Sequence, residues 1–338
     1  MGKLHDQLKI AFFGTSEFAI PALQKLVESG FDIAAVITQS DKSAGRKQLP
    51  LPSPVKKTAQ ELGLKFLQLA KLDSLFHLPS IRPPHADGIG GEREGVDLFI
   101  VASYGKIIPR EILEIPKYGA LNIHPSLLPK YRGPSPIQAA ILNGDEETGV
   151  TIIKMDEEVD HGPIVANSKF KISNSKIGYQ ELHDELAELG AELLVMTLPK
   201  YLAGEIKPRP QEPGQATFTK IITKADARID WNFAAAKIES MVRAYESWPV
   251  AWTMLDGKRL KIYKTLVLTS PLSPPEGPGD GIEGEVEPGR MVIADGKLIV
   301  NTAGGQIEIL ELQLEGGKRM KAKDFINGYP GLQGKILV

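Results

Sequence analysis

Lys9-Ile10-Ala11-Phe12-Phe13-Gly14-Thr15-Ser16-Glu17 is the stretch whose reading decides the fold. The run Lys9–Phe13 reads as a buried strand, and Gly14-Thr15-Ser16 closes it with a turn. Phe18, Ile20, Leu23, Leu26 and Val27 then recur at helical spacing. A buried strand passing through a tight turn into an amphipathic helix is the first half of a βαβ unit. The same rhythm continues outward from it. Residues 33–38, 96–102, 119–123 and 150–155 read as further strands. Ser53-Pro54 supplies an N-cap and a first-turn proline for a helix through Leu62. Further helices are expected over 137–142 and 179–202. Such alternation predicts an α/β fold with an open, largely parallel sheet and helices on both faces.

After Pro208 the rhythm changes. One helix, over 233–245, precedes short alternating runs broken by Asp256-Gly257, Asp295-Gly296 and Gly304-Gly305. Those dipeptides favour tight hairpins because positive φ is inexpensive there. The expected pairs join 252–255 to 260–268 and 297–302 to 306–312, which makes a small antiparallel barrel. The boundaries that follow are 1–206 for a first domain, 207–215 for a Pro- and Gly-containing linker, and 216–338 for a second domain. Residues 79–95 and 269–284 lack periodicity and read as loops, and no internal repeat is present.

Composition narrows the classes. The 338 residues, 42% hydrophobic and 24% charged, describe a globular chain with room for two cores. A net charge of −2 argues against a generally basic nucleic-acid coat but permits a local basic patch. Zero cysteines remove disulfides, thiolate metal sites and a cysteine nucleophile. The first ten residues read as lacking a signal-peptide core, and no run reaches membrane-spanning length. A soluble cytoplasmic protein without a membrane partner, expected to be monomeric, is the resulting expectation.

Chemistry is concentrated in Leu121-Asn-Ile-His-Pro-Ser-Leu-Leu-Pro-Lys-Tyr-Arg-Gly-Pro-Ser-Pro136. Residues i and i+2 of a strand project to the same side, so Asn122 and His124 face one space at a buried strand's end. Open α/β sheets place ligands at such ends. An amide donor beside a titratable ring suits a carbonyl oxygen that gains negative charge during reaction. The prolines that follow stiffen the loop. In Met155-Asp-Glu-Glu-Val-Asp-His-Gly-Pro163, Gly-Pro pins the backbone just beyond Asp160. A carboxylate there would hold the His124 ring and favour its cationic form. Asp156 lies in the same acidic loop, and His161 reads as a bystander. The turn at Gly14 has one glycine where a dinucleotide fingerprint needs three, so nicotinamide and flavin are disfavoured. His124, Asp160 and His161 lack ligand spacing, so no metal is expected.

Basic residues cluster twice. Lys42, Arg46, Lys47, Lys56 and Lys57 stand against one acid, and Lys318, Arg319, Lys321 and Lys323 fall within six positions. Arg46, in Ser43-Ala-Gly-Arg46 after the second strand, is placed for a phosphate or nucleic-acid contact.

Together these segments resemble the methionyl-tRNA formyltransferase family across nearly the whole chain. The resemblance rests on Phe12–Ala19, Ser43–Arg46, Pro52–Lys56, Ser103–Pro109, Asn122–Pro136, Gly149–Asp156, Ala227–Trp231, Gly317–Met320 and Phe325–Gly328. It implies a Rossmann-like first domain and an OB-like C-terminal barrel. It carries the catalytic trio onto Asn122, His124 and Asp160, and contacts to 10-formyltetrahydrofolate onto Ser126, Leu127, Leu128 and Pro129. It sets Arg46 on an acceptor loop for initiator methionyl-tRNA; Lys42 and Lys47 beside it, and Lys318, Arg319 and Lys321 in the second cluster, are expected as further tRNA contacts from their charge. His161 departs from the small or hydroxyl residue common after that aspartate, and 79–95 is richer in Pro and Gly than the pattern.

The activity expected is formyl transfer from 10-formyltetrahydrofolate to the α-amino group of methionine on initiator tRNA. Two alternatives stay open. One is a related formyl-folate transferase or hydrolase acting on a small amine or nucleotide sugar. The other is a non-catalytic RNA-binding module.

Overall fold

The computed structural model describes residues 8–44, 49–69, 72–77, 81, 95–174, 176–268 and 287–338. The chain divides into two compact units. Unit 1 comprises 1–136, 147–171 and 183–219; unit 2 comprises 137–146, 172–182 and 220–338.

In unit 1 the elements run β1 (Lys9–Gly14), α1 (Ile20–Glu28), β2 (Asp32–Thr38), β3 (Lys42–Ala44), β4 (Leu49–Leu51), α2 (Pro54–Glu61), β5 (Phe66–Gln68), β6 (Leu98–Ala102), α3 (Arg110–Leu113) and β7 (Ala120–His124). They continue with α4 (Pro136–Asn143), β8 (Glu147–Lys154), β9 (Ile164–Lys171) and α5 (Tyr179–Leu202), of which α4 and the start of α5 belong to unit 2. Seven strands form one sheet in the order β5-β2-β1-β6-β7-β8-β9. The pairs from β5 to β7 are parallel, whereas β7–β8 and β8–β9 are antiparallel. The mostly parallel, Rossmann-like sheet expected from the sequence is therefore present. Its central strands are apolar because both faces are covered, and all five residues of β6 are buried. On one face Ala11, Phe13, Ala35, Ile37, Phe99 and Val101 share a core, with the rings of Phe13 and Phe99 edge-on at 4.9 Å. α2 starts as its sequence requires, with Ser53 Oγ accepting from Lys56 N at 3.1 Å beside a proline in the first turn.

The strand order fixes where chemistry can occur. From β1 the chain moves to β2 and β5 on one side, then returns to β6 on the other. The carboxyl ends of β1 and β6 consequently diverge at a switch point. Side chains knit that point together. Thr15 Oγ1 donates to Tyr104 O at 2.9 Å, Gln39 Nε2 donates to the same carbonyl at 2.8 Å, and Ser16 Oγ donates to Ser103 Oγ at 2.6 Å. The turn after β1 is a compact strand-to-helix junction, since a methyl group on Gly14 would lie 2.8 Å from the Ala19 side chain. β7 is the next strand along and delivers Asn122 and His124.

Unit 2 holds α6 (Ala235–Ala244), β10 (Trp252–Leu255), β11 (Lys258–Leu268), β12 (Met291–Ala294), β13 (Lys297–Thr302), β14 (Gly305–Leu314), β15 (Met320–Lys321) and α7 (Ala322–Gly328). Its strands form an antiparallel, OB-like sheet in the order β10-β11-β14-β13-β12, with β15 on β14. The hairpins turn where expected, with positive φ at Asp256, Gly257, Asp295, Gly296 and Gly305. Ile238, Leu260, Ile262, Val300, Ile307 and Phe325 lie in its core. All three tryptophans, Trp231, Trp248 and Trp252, are in this unit.

Candidate active site

β7 ends at His124, and its antiparallel neighbour β8 sets Thr151 directly opposite. The Thr151 hydroxyl donates to Ser126 O at 2.6 Å and accepts from Leu128 N at 3.1 Å. Ser126 Oγ in turn donates to Lys130 O at 2.6 Å, and Lys130 N donates to Leu127 O. The loop after His124 is thus tied down residue by residue from the neighbouring strand.

The alternation of β7 turns Asn122 and His124 to one side, and the structure brings Asp160 to both. Asn122 Nδ2 donates to Asp160 Oδ1 at 3.2 Å, and His124 Nδ1 stands 3.5 Å from the same oxygen. Asp160 Oδ2 accepts from Gly133 N at 2.8 Å. His124 is buried, with 5% of its side chain exposed against 14% for Asp160. Its Nε2 lies 2.9 Å from Tyr131 O. A carbonyl only accepts, so Nε2 carries a proton and donates it there. Nδ1 is left facing the carboxylate at a separation longer than an ordinary hydrogen bond. Asn122 Nδ2 has two protons and gives one to Asp160.

Two backbone conformations make this convergence. Asp160 has φ +51°, a left-handed value uncommon outside glycine. Gly133 has φ +106°, and a methyl group on it would lie 2.7 Å from Thr219 O. Only glycine fits there while keeping its N–H on the carboxylate.

Four residues were expected to touch the formyl donor. Ser126 and Leu128 are buried, with the Ser126 hydroxyl and the Leu128 N–H committed inside the loop. Leu127 and Pro129 are half-buried. Of the basic residues, Arg46 and Lys47 lie outside the described residues. Lys42 begins β3, paired with Leu51 of β4. In unit 2, Lys318 and Lys321 are exposed, while Arg319 lies over the Tyr263 ring at 4.3 Å and pairs with Glu311 at 2.6 Å. His161 pairs with Asp156, Nδ1 to Oδ2 at 2.7 Å. Among the described residues, no three His, Cys, Asp or Glu side chains gather as a metal site.

Sequence reasoning missed several participants. Tyr131 and Gly133 act through backbone atoms, which a side-chain motif does not advertise. It also missed residues 209–219, which run beside the 129–135 loop. Thr217 N donates to Pro129 O at 3.2 Å, Arg132 N to Thr217 O at 2.8 Å and Thr219 N to Arg132 O at 2.8 Å. Thr217 Oγ1 and Thr219 Oγ1 accept from Tyr131 N and Ser135 N. The period-two spacing of Thr217 and Thr219 was the available signal. Arg132 is buried over this strap, and its Nη2 has no hydrogen-bond partner among the described residues. Tyr104, beside the switch point, is buried with its hydroxyl likewise unpartnered among the described residues, and burial pushes its pKa up to about 12.

Comparison with known proteins places this geometry in context. Residues 8–198 match the formyl transferase family model, and 221–330 match the formyl transferase C-terminal domain model. The methionyl-tRNA formyltransferase of Thermodesulfovibrio yellowstonii is 42% identical over 94% of this chain and 95% of its own length. That of Caldanaerobacter subterraneus subsp. tengcongensis is 38% identical over 98% of this chain and 100% of its own length. Among solved structures, the sugar 3N-formyl transferase WlaRD covers 92% of this chain at TM-score 0.62 and 19% identity, a likeness of fold alone. No helix among the described residues is long and apolar enough to cross a membrane.

Proposed function

The chain belongs to the formyl transferase family, and on that premise we propose that it transfers a formyl group from 10-formyltetrahydrofolate to the α-amino group of methionine esterified to initiator tRNA. The acceptor follows from relatives that match nearly end to end and are named for methionyl-tRNA. The observation that supports a working catalyst is the convergence on Asp160 Oδ1, which accepts from Asn122 Nδ2 at 3.2 Å and faces His124 Nδ1 at 3.5 Å.

The free amine attacks the formyl carbon, and the carbonyl oxygen becomes anionic in a tetrahedral intermediate. The bond from that carbon to the folate nitrogen then breaks, and the amine's proton passes to that nitrogen. The second N–H of Asn122 donates to the oxyanion. His124, held at Nε2 by Tyr131 O, offers Nδ1–H when cationic. Asp160 orients both donors and, through a water, carries the proton. Leu127 and Pro129 offer apolar surface to the folate beside this trio. Arg46, Lys42 and Lys47 take the acceptor end of the tRNA, and Lys318, Arg319 and Lys321 its backbone. The reading makes the enzyme cytoplasmic and monomeric, with residues 1–206 catalytic, 207–215 connecting and 216–338 binding tRNA.

The test is Asn122→Ala under saturating substrates. Loss of one oxyanion donor lowers kcat by ~10²–10³ and leaves donor affinity near normal. A variant with wild-type kcat would remove Asn122 from the mechanism. Offering charged initiator tRNA beside small amines and nucleotide sugars decides the acceptor.

A further inference from the structure

We propose that Gln211 is a positioning residue for the reaction, holding the Asp160 loop and the Tyr131–Gly133 loop in register through one buried amide. The inference rests on the formyl-transfer reading and concerns a residue outside the trio. Gln211 is 8% exposed. Its Nε2 donates to Asp160 O and to Gly162 O, each at 2.8 Å. Its Oε1 accepts from Arg132 Nε at 3.0 Å. Both amide protons and the amide oxygen are therefore engaged inside the protein, and the amide has one workable orientation. No charged or apolar side chain of that size can replace it. A glutamate would set an oxygen against two carbonyl oxygens, and a leucine would leave one buried carbonyl, one part-buried carbonyl and a guanidinium nitrogen without their partner.

What the amide holds is the conformation on which the trio depends. Asp160 keeps its left-handed φ of +51° with its main-chain oxygen turned to Gln211 and its carboxylate turned to Asn122, His124 and Gly133. Two residues on, a methyl group at Gly162 would lie 1.9 Å from Lys154 O, so this loop has no slack on its far side. Through Arg132, the same amide reaches the segment that supplies Tyr131 O to His124 and Gly133 N to Asp160. The Ile164–Arg209 backbone pair, at 2.7 and 2.8 Å, fixes the strap just before Gln211, and the Thr217–Arg132–Thr219 ladder fixes it just after. Gln211 thus sits where three segments meet: its own, the one that carries Asp160, and the one that supplies Tyr131 O and Gly133 N.

A positioning role and a merely structural one separate in a double-mutant cycle on the full chain. Gln211→Leu is expected to lower kcat about tenfold or more, because a small displacement of an oriented group is costly. KM for the formyl donor should hold within about twofold. In an Asp160→Asn background, the same substitution should cost clearly less in kcat than it does in the wild type, since one of the two groups it positions is already gone and only the Tyr131–His124 limb remains. An equal loss in both backgrounds, or an unchanged kcat in the single variant, overturns the proposal. Gln211→Glu enters the same cycle if the leucine variant does not fold. If neither folds, the amide belongs to stability and the proposal is equally overturned. Hydrogen exchange of the Gly133 amide in the ligand-free protein gives a readout independent of turnover: it should quicken in the single variant while the amides of β6 do not change. A wild-type chain inactive on charged initiator tRNA would sink the acceptor reading and still leave that exchange measurement to decide Gln211.

Discussion

At the scale of single residues, the site is built less by its acid–base groups than by small side chains that determine where the backbone runs. Thr151 is the clearest case. Its hydroxyl serves Ser126 O and Leu128 N at once, and it lies opposite His124 in the β7–β8 register. Thr151→Val keeps the shape and removes both bonds. It should destabilise the protein by about 1–3 kcal/mol, because two buried polar groups lose their partner. Urea unfolding measures this, and a loss well under that range would mean the loop re-pairs elsewhere. Gly133→Ala acts on the trio directly. Its methyl group would meet Thr219 O at 2.7 Å and its φ of +106° would be strained. A large fall in kcat is expected, with Asp160 losing a 2.8 Å donor. Steady-state kinetics at saturation would show it. Asn122 and His124 were legible from their spacing alone, and Asp160 from the Gly-Pro that follows it. Gln211 was not legible, because an isolated glutamine in a polar stretch carries no pattern until the fold shows which carbonyls it faces.

Secondary elements follow the same logic. Those with a strong period were readable: the buried runs of β1, β2, β6 and β7, the capped helix α2, and the long helix α5, whose bounds Tyr179–Leu202 match the pattern. β9 escaped because it is an edge strand, in which most residues of Ile164–Lys171 are partly or fully exposed and apolar content is low. β12 and α7 are short, four and seven residues, too few to show a period in the sequence. In unit 2, the short helical turn Ala225–Ala227 contains Asp226, whose carboxylate accepts from Thr223 N and Thr223 Oγ1 and pairs with Lys220. The Lys220 hydrogen bond, then those from Thr223, hold the Asp226 pKa down at about 2, against an ordinary 3.8. A lowered carboxylate pKa means stability that is fully present above the ordinary value and disappears as pH falls through the folded one. Asp226→Asn should therefore lower Tm at pH 7, and the gap from wild type should close between about pH 4 and pH 2. Thermal melts across that range check it. A gap that persists unchanged at the acid end would contradict the assignment.

For the whole molecule, the chemistry and the recognition of a large acceptor are separate problems. On the proposed reaction the trio would meet only a formyl group and an amine, so tRNA would have to be held by charge at a distance. Phosphate contacts weaken steeply as salt rises, through the release of condensed counterions. KM for charged initiator tRNA should therefore climb with ionic strength while KM for the formyl donor stays nearly flat. Parallel slopes for the two substrates would argue against the basic residues as the tRNA contact. Arg46→Ala should impair tRNA use and spare donor affinity, and equal loss of both would remove the case for a dedicated acceptor loop. The placement of tryptophan has its own use for such work. With Trp231, Trp248 and Trp252 all in unit 2, the indole emission of the native chain is blind to unit 1. Excitation near the red edge of protein absorbance would thus report on unit 2. A single indole installed in unit 1, in a background cleared of the native three, would supply the optical channel that unit 1 lacks.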